Sequence, residues 1–379
     1  MKYRRFGKTE LKLPILTYGA MQVGNPEDEN VPAEVTRRAI EAGIDHIETA
    51  QGYGTSEERL GRILKDFDRD KLTITTKIPP QETRDEMWRK IDFSLERLQM
   101  DHVENLDIHG INRFETLELT LRKGGCMQAV HEAIDQGVIG HIGFSTHAPC
   151  EVILATLNTG EFESVNLHYY TLFRRNLPAI RRAAELDMGI LIISPSDKGG
   201  KLYEPTEKLV ELSKPYSPIE LNHRWTIAHP EITTLTVGCT YPEEWDAHLP
   251  MADRDGPLEE EEGQAIKRWE DQYDLLGNTY CSVCGDCLPC PEQINIPETL
   301  RLRNLAKAYD MEDFGKYRYK MFENAGDWFP GSRSDKCTEC GDCLPRCPLD
   351  LEIPSLLFET HNLLWEGVGG KRRWEETTP

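Results

Sequence analysis

Residues 43–64 read GIDHIETAQGYGTSEERLGRIL. Ile44–Thr49 has the pattern of a short strand, a glycine-flanked tyrosine follows it, and SEERLGRILKD then repeats apolar residues at helical spacing. The same strand–loop–helix unit recurs along the chain. Strands are expected at Ile15–Gly19, Ile44–Thr49, Leu72–Lys77, Val103–His109, Ile139–Ser145, Ser164–His168, Gly189–Ser194 and Ile232–Gly238. Amphipathic stretches such as AEVTRRAIEAG, RDEMWRKIDFSLERLQM and NLPAIRRAAEL lie between them. Eight alternations in this space are what a (β/α)8 TIM barrel requires. An open doubly wound sheet is the rival, and the absence of G-x-G-x-x-G after any strand disfavours it. The fold class is therefore α/β, with the barrel over 1–250 and two short strands expected in MKYRRFGKTELKLP.

Barrel enzymes collect their chemistry at the C-terminal ends of the strands. Here the second strand ends near Glu48 and leads to Tyr53, the third ends at Lys77 and the fourth at His109. A lysine beside a phenol favours the phenolate and makes tyrosine a usable acid, a carboxylate holds the lysine, and an imidazole can orient a carbonyl. Taken singly, each has a bland reading: a surface lysine, a structural histidine, a tyrosine capping a turn. Their arrival at adjacent strand ends argues for a site. Later strands end at Ser145 with Thr146 and His147, at Asn166 and His168, at Ser194 and at Gly238. Gly199 and Gly200 follow the seventh strand, where barrels often bind phosphate through backbone N–H groups, although a tight loop without ligand fits equally.

Beyond the barrel the composition changes. MADRDGPLEEEEGQ is acidic, and an acidic linker leading into a helix that carries Trp269 and Tyr273 is expected over 251–275. The four consecutive glutamates read as a solvated face. Two cysteine runs then dominate 276–365: CSVCGDCLPCPEQINIP from Cys281 and CTECGDCLPRCPLDLEIP from Cys337. The second has the C-x2-C-x2-C-x3-C-P spacing of bacterial ferredoxins that hold [4Fe–4S] clusters, and the first is one residue shorter before its last cysteine. In such proteins the fourth cysteine of each run ligates the other cluster. The expected sets are Cys281, Cys284 and Cys287 with Cys347, and Cys337, Cys340 and Cys343 with Cys290. All-thiolate zinc sites are the alternative, but a third in-phase cysteine and a Cys-Pro ending are not zinc-ribbon features. Cys126, Cys150 and Cys239 are scattered and read as small buried hydrophobes. Residues 366–379 read as a frayed tail.

Composition narrows the partners. The chain has 379 residues and a formal net charge of −21, which argues against a nucleic-acid partner. No apolar run approaches a membrane span, and the N-terminus lacks the apolar stretch of an export signal, so a cytoplasmic location is expected.

GIDHIETAQGYGTSEERLGRIL, LTITTK, VENLDIHG and IGHIGFSTH resemble the aldo/keto reductase family over roughly Met1–Leu249. GFSTH, SPSDKGGKL and the cysteine runs resemble the branch of that family with a C-terminal ferredoxin-like [4Fe–4S] domain. The family's tetrad is Asp, Tyr, Lys and His. The resemblance makes Tyr53 the proton donor, Lys77 its partner and His109 the substrate-orienting imidazole, with Ser145, Thr146 and Asn166 near the nicotinamide carboxamide. Two departures stand out. Glu48 replaces the tetrad aspartate, and Glu243 and Glu244 follow the eighth strand where NADP-using members place basic residues; carboxylates there repel a 2′-phosphate. The expectation is an NAD(P)-linked carbonyl/alcohol oxidoreductase with two [4Fe–4S] clusters and a small-molecule substrate. Its rivals are a reductase fed by a ferredoxin without nicotinamide, and a non-catalytic relay or binding protein. Hydride moves two electrons and a cluster moves one, and no flavin motif that would convert between them is recognisable.

Overall fold

The computed structural model describes residues 1–367, so most of the expected tail, from 368 onward, lies outside the described residues. β1 (Tyr3–Arg5) and β2 (Lys12–Pro14) form the expected antiparallel hairpin, and its Phe6 and Leu13 pack against Leu191 and Ile193. Then follow β3 (Leu16–Gly19), α1 (Asn30–Glu41), β4 (His46–Glu48), α2 (Ser56–Ile63), β5 (Thr73–Ile78), α3 (Arg84–Leu98) and β6 (Val103–His109). Next come α4 (Phe114–Leu121), α5 (Cys126–Asp135), β7 (Ile139–Ser145), α6 (Cys150–Leu157), β8 (Ser164–Leu167), α7 (Leu177–Glu185), β9 (Gly189–Ile193), α8 (Glu207–Ser213), α9 (Pro218–Ile227) and β10 (Thr234–Val237).

Strands β3 to β10 close in order, all parallel, with β10 pairing back onto β3. Each expected strand is present; Val103–His109 and Ile139–Ser145 have the expected bounds and the others are shortened or shifted by a residue or two. β9 and β10 are buried along their whole length, as strands covered on both faces must be. The barrel interior is not wholly apolar. Thr17 Oγ1 lies 2.7 Å from His46 Nδ1 and 2.8 Å from Thr234 Oγ1, while His46 Nε2 lies 2.9 Å from Thr75 Oγ1. Burial, with Lys77 adding to it, holds this imidazole down to about 3, so it stays neutral and shares hydrogen bonds.

The described residues divide into two compact units: Met1–Pro195 with Asn222–Pro257, and Ser196–Leu221 with residues 258–367. The second unit thus takes in the loop after β9 and α8, which the sequence reading had placed with the barrel. Trp269 Nε1 donates to Ser213 Oγ at 3.1 Å, and Thr206 Oγ1 donates to the Tyr309 carbonyl at 2.8 Å. α10 (Glu260–Glu270) begins within the acidic run, earlier than the composition suggested. Glu259 and Glu262 form a capping box there, and negative charge suits a helix N-terminus. Tyr273 falls in a 3-10 segment after the helix. α11 (Ile296–Tyr309), α12 (Glu312–Tyr319) and α13 (Ile353–Leu364) complete the unit, and α11 is buried on nearly every side. Among the described residues no helix is long and apolar enough to cross a membrane.

Two glycines separate packing from propensity. A Cβ on Gly61 of α2 would sit 2.4 Å from the Arg97 carbonyl oxygen of α3, whereas one on Gly263 of α10 would meet nothing within 4 Å. Gly61→Ala is expected to destabilise the barrel by about 1–3 kcal/mol. Gly263→Ala should stabilise by up to about 1 kcal/mol. Urea unfolding followed by circular dichroism measures both.

Candidate active site and cysteine centre

The loop after β4 is pinned from both sides. The Thr49 N–H donates to the Thr75 carbonyl at 2.8 Å and the Gln51 N–H to the Lys77 carbonyl at 3.0 Å. Ser56 Oγ lies 2.9 Å from Thr49 Oγ1 and donates to the Ala20 carbonyl at 2.7 Å. Gly54 takes a positive φ of 55°, which turns the chain directly after Tyr53. These bonds hold Tyr53 over the end of β5.

Lys77 is the centre of the group. Its Nζ is bonded to the Glu48 carboxylate and donates to the Thr49 carbonyl at 2.7 Å, with both side chains almost wholly buried. The same ammonium lies over the Tyr53 ring, 4.8 Å from its centroid. The His109 ring meets Tyr53 edge-on at 5.8 Å. The structure therefore brings Glu48, Tyr53, Lys77 and His109 together, and the longer glutamate reaches the lysine without difficulty.

Two further groups join them. Asn166 Nδ2 lies 3.3 Å from Glu48 Oε1, so this residue braces the carboxylate, while its Oδ1 is buried without a donor. Asp107, the register partner of Lys77 on β6, is buried and accepts from Asn105 Nδ2 at 2.8 Å. Burial pushes its carboxyl up, against the pull of Lys77. Burial, with the Asp107 charge adding to it, also holds the Tyr53 phenol above its ordinary value. The sequence reading passed over Asp107. The signal was present: Asn105, Asp107 and His109 alternate on one strand, so three polar residues share the face that should fill a barrel.

The other expected contacts are placed as follows. Ser145 pairs in register with Asn166. The Thr146 hydroxyl is bonded to backbone, donating to the Ile111 carbonyl at 2.7 Å and accepting from the Ala148 N–H at 3.0 Å. Ser194 sits at a positive φ of 50°. Gly238 has Gln22 against it, close enough that a Cβ would lie 2.5 Å from Oε1. Gly199 and Gly200 belong to the second unit, where the Gly200 N–H donates to the Asp197 carbonyl at 3.2 Å. Glu244 closes a capping box, accepting from the Thr240 N–H at 2.6 Å, and Arg38 nearby is tied to the Pro242 carbonyl and Asp246. Cys239 is buried and its thiol pushed up by burial, so it is an inert packing residue.

In the second unit the two cysteine runs share a backbone course. Val283 and Glu339, Gly285 and Gly341, and Gln293 and Asp350 all take positive φ at matching places. Each run leads into a helix, α11 or α13. Arg346 donates to the Pro289 carbonyl at 2.9 Å and so ties the second loop to the first. Cys290, Cys337, Cys340 and Cys343 line one cavity with Ile296, Pro354 and Leu357. Cys281 lies within electrostatic range of Cys284 and Cys347. All eight thiols are free and pack in one cluster with Ile294, Leu300, Leu351 and Ile353, apart from Cys284 and Cys340, which are exposed. Among the described residues no three His, Cys, Asp or Glu side chains converge on a single ion. Four cysteines around a cavity suit a multi-iron cluster, whose corners stand further apart than the ligands of one zinc. Burial pushes Cys281 up to about 11 and Cys287 up to about 12, so a metal taken up by these thiols would have to displace their protons.

Comparison with known proteins agrees with both units. Residues 15–204 match the aldo/keto reductase family, and residues 280–351 match the 4Fe-4S dicluster domain. The chain belongs to the aldo/keto reductase family and is an oxidoreductase with a C-terminal iron–sulfur domain. It is 24% identical over 289 residues to the uncharacterized oxidoreductase YrpG of Bacillus subtilis, covering 63% of this chain and 87% of that one. Pyridoxine 4-dehydrogenase of Escherichia coli is 31% identical over 156 residues, 36% of this chain and 54% of the relative. L-glyceraldehyde 3-phosphate reductase of the same organism is 28% identical over 166 residues, 39% and 46% of the two chains. The match thus spans about half the length of these last two relatives. The solved aldo-keto reductase AKR11C1 of Bacillus halodurans, in its holo form, shares the fold with a TM-score of 0.61 at 23% identity, covering 71% of this chain and 96% of that one.

The buried ion pair sets a stability prediction. Lys77→Met is expected to lower stability by about 3–5 kcal/mol, because it strands a buried carboxylate. Adding Glu48→Gln should recover most of that loss, and urea unfolding of the single and double variants at neutral pH reads both.

Proposed function

We propose that the barrel interconverts a small-molecule carbonyl and its alcohol with a nicotinamide cofactor, and that the second unit carries two [4Fe–4S] clusters. The observation that carries the reading is the Lys77 ammonium, fixed by Glu48, over the Tyr53 ring with His109 edge-on beside it. A bound dihydronicotinamide supplies hydride, and the clusters exchange single electrons with a partner such as a ferredoxin.

Tyr53 holds the proton that the carbonyl oxygen takes up, Lys77 stabilises the phenolate left behind, and Glu48 positions Lys77. His109 orients the substrate oxygen. The buried Asn166 Oδ1, lacking a donor, offers an acceptor for a carboxamide N–H, with Ser145 alongside. NAD is favoured over NADP, because Glu243 and Glu244 follow the last strand and Arg38 is already engaged by Asp246. The proposed cluster ligands are Cys281, Cys284, Cys287 and Cys347 for one, and Cys337, Cys340, Cys343 and Cys290 for the other.

Tyr53→Phe is expected to lower turnover of every accepted carbonyl by about 10²–10⁴-fold with cluster content intact; unchanged turnover would falsify the assignment of the acid. Cys290→Ser should remove roughly half the iron and one of two EPR signals, the one shared with Cys340→Ser. Anaerobic, cluster-loaded protein mixed with NADH should lose visible absorption if barrel and clusters form one electron path. NADH that binds without bleaching separates the two chemistries, and no binding at all points to a ferredoxin donor.

A further inference from the structure

Within the second unit, the turn after β9 and the helix α12 bring two cations together without a counterion. The turn Ser196–Leu202 closes on itself. The Gly200 and Lys201 N–H groups donate to the Asp197 carbonyl at 3.2 and 2.8 Å, and the Leu202 N–H donates to the Ser196 carbonyl at 2.8 Å. The Asp197 carboxylate accepts from the Tyr203 hydroxyl at 2.8 Å. Lys201 ties the turn to α12, its ammonium 4.6 Å from the centroid of the Tyr317 ring. Arg318, next on that helix, is only 7% exposed. Its guanidinium stacks on Phe329 at 4.4 Å and donates to the Met321 sulfur at 3.4 Å, a weak acceptor, while its Nε has no partner. Lys198 lies within electrostatic range of Arg318 and makes no hydrogen bond or ion pair with any described residue. Ser196 Oγ, in the same turn, is buried and also lacks a partner.

A cation withdrawn from water is costly unless it is paired, and two of them close together repel. The carboxylates at hand are already engaged. Glu298 is held by Arg301 through Nε at 3.0 Å and Nη2 at 2.7 Å, and Asp197 is held by Tyr203. Around the pair, Lys198, Arg301 and Arg318 stand against Asp197 and Glu298, an excess of one positive charge in a chain whose net charge is −21. A guanidinium, an ammonium and a hydroxyl from two chain segments suit the several oxygens of a tetrahedral anion better than a planar carboxylate. The N–H groups of the turn are spent internally, so they do not form the backbone cradle in which a dinucleotide diphosphate lies. We propose that Lys198 and Arg318, with Ser196, form a side-chain binding site on the second unit for a small oxyanion of the sulfate and phosphate class, separate from any nucleotide site. Lys198 is partly exposed, which gives the anion its entry. Burial, with Arg318 adding to it, holds the Lys198 amine down to about 7, and an anion beside it favours the ammonium. Binding therefore takes up a proton near neutral pH and weakens as pH rises. The charged and titratable groups facing the pair are Asp197, Lys201 and Tyr203 on the turn, Tyr317 on α12, and Glu298 and Arg301 on α11.

The test is a calorimetric titration of full-length, cluster-loaded protein with sodium sulfate, at an ionic strength held constant with sodium chloride. Saturable binding is expected, weakened by about tenfold or more in Lys198→Gln and in Arg318→Met, each of which removes a charge-assisted hydrogen bond. Lys198→Arg is expected to keep the binding. In the wild type the affinity should fall between about pH 6 and about pH 8, whereas Lys198→Arg, whose guanidinium stays charged, should show no such fall. A merely structural role for Lys198 gives no sulfate binding to lose and no such difference in pH dependence. Sulfate that does not saturate, or that binds Lys198→Gln and Arg318→Met as tightly as wild type, overturns the proposal. Displacement of sulfate by NADH overturns it as well, because the anion site then belongs to the nucleotide. Should Arg318→Met fail to fold, the two variants of the partly exposed Lys198 decide the matter alone. No step involves hydride transfer, so a failure of Tyr53 as the acid leaves these outcomes readable.

Discussion

An ammonium ion inside a closed barrel has to be neutralised where it stands. Lys77 meets that demand with Glu48 from the adjacent strand and the Thr49 carbonyl from the loop beyond it. Everything near the barrel mouth follows from this: the loop carrying Tyr53 is hydrogen-bonded to the same strand end, and Asn166 braces the carboxylate from the far side. Removing water strengthens each of these contacts and makes each unpaired partner expensive. The site is thus a small charge network whose members cannot be exchanged one at a time.

The parallel barrel was legible because its strands are short, β-branched and followed by amphipathic helices, a pattern that period and spacing reveal directly. Glu48, Lys77 and His109 were legible because they lie at strand ends, and Tyr53 because it sits in the glycine-flanked loop that follows one. Asp107 was not, since it lies mid-strand, and a polar residue there reads as an exposed face until closure of the sheet shows that it points inward. The division of the chain was also hidden. Nothing in Thr206 or in α8 announces that they meet Tyr309 and Trp269, contacts made by residues far along the sequence. The helix within the acidic run was obscured for a different reason: glutamates are neutral as a composition signal but favourable as the first turn of a helix.

The cysteine unit shows the opposite balance. Its chemistry stands in the spacing of the thiols, while its energetics do not. α11 is almost wholly buried, with Arg301 paired to Glu298 and Arg303 to Glu359, so a charged sequence serves as a core element. The thiols complete an apolar cluster with Ile294, Leu300, Leu351 and Ile353. With these thiols as the proposed ligands, metal loading and folding of this unit would be linked, because the same groups fill its centre.

One detail of the two runs bears on how long such a protein lasts. In each, the second cysteine, Cys284 or Cys340, faces water, while the third, Cys287 or Cys343, is buried. If each run holds a cluster as proposed, the corner on that second cysteine would be the one most open to solvent. Dissolved oxygen would then meet that corner first, and damage in air would begin at these two thiolates. Shelf life outside an anaerobic environment would in that case depend on the exposure of two side chains more than on the stability of the barrel.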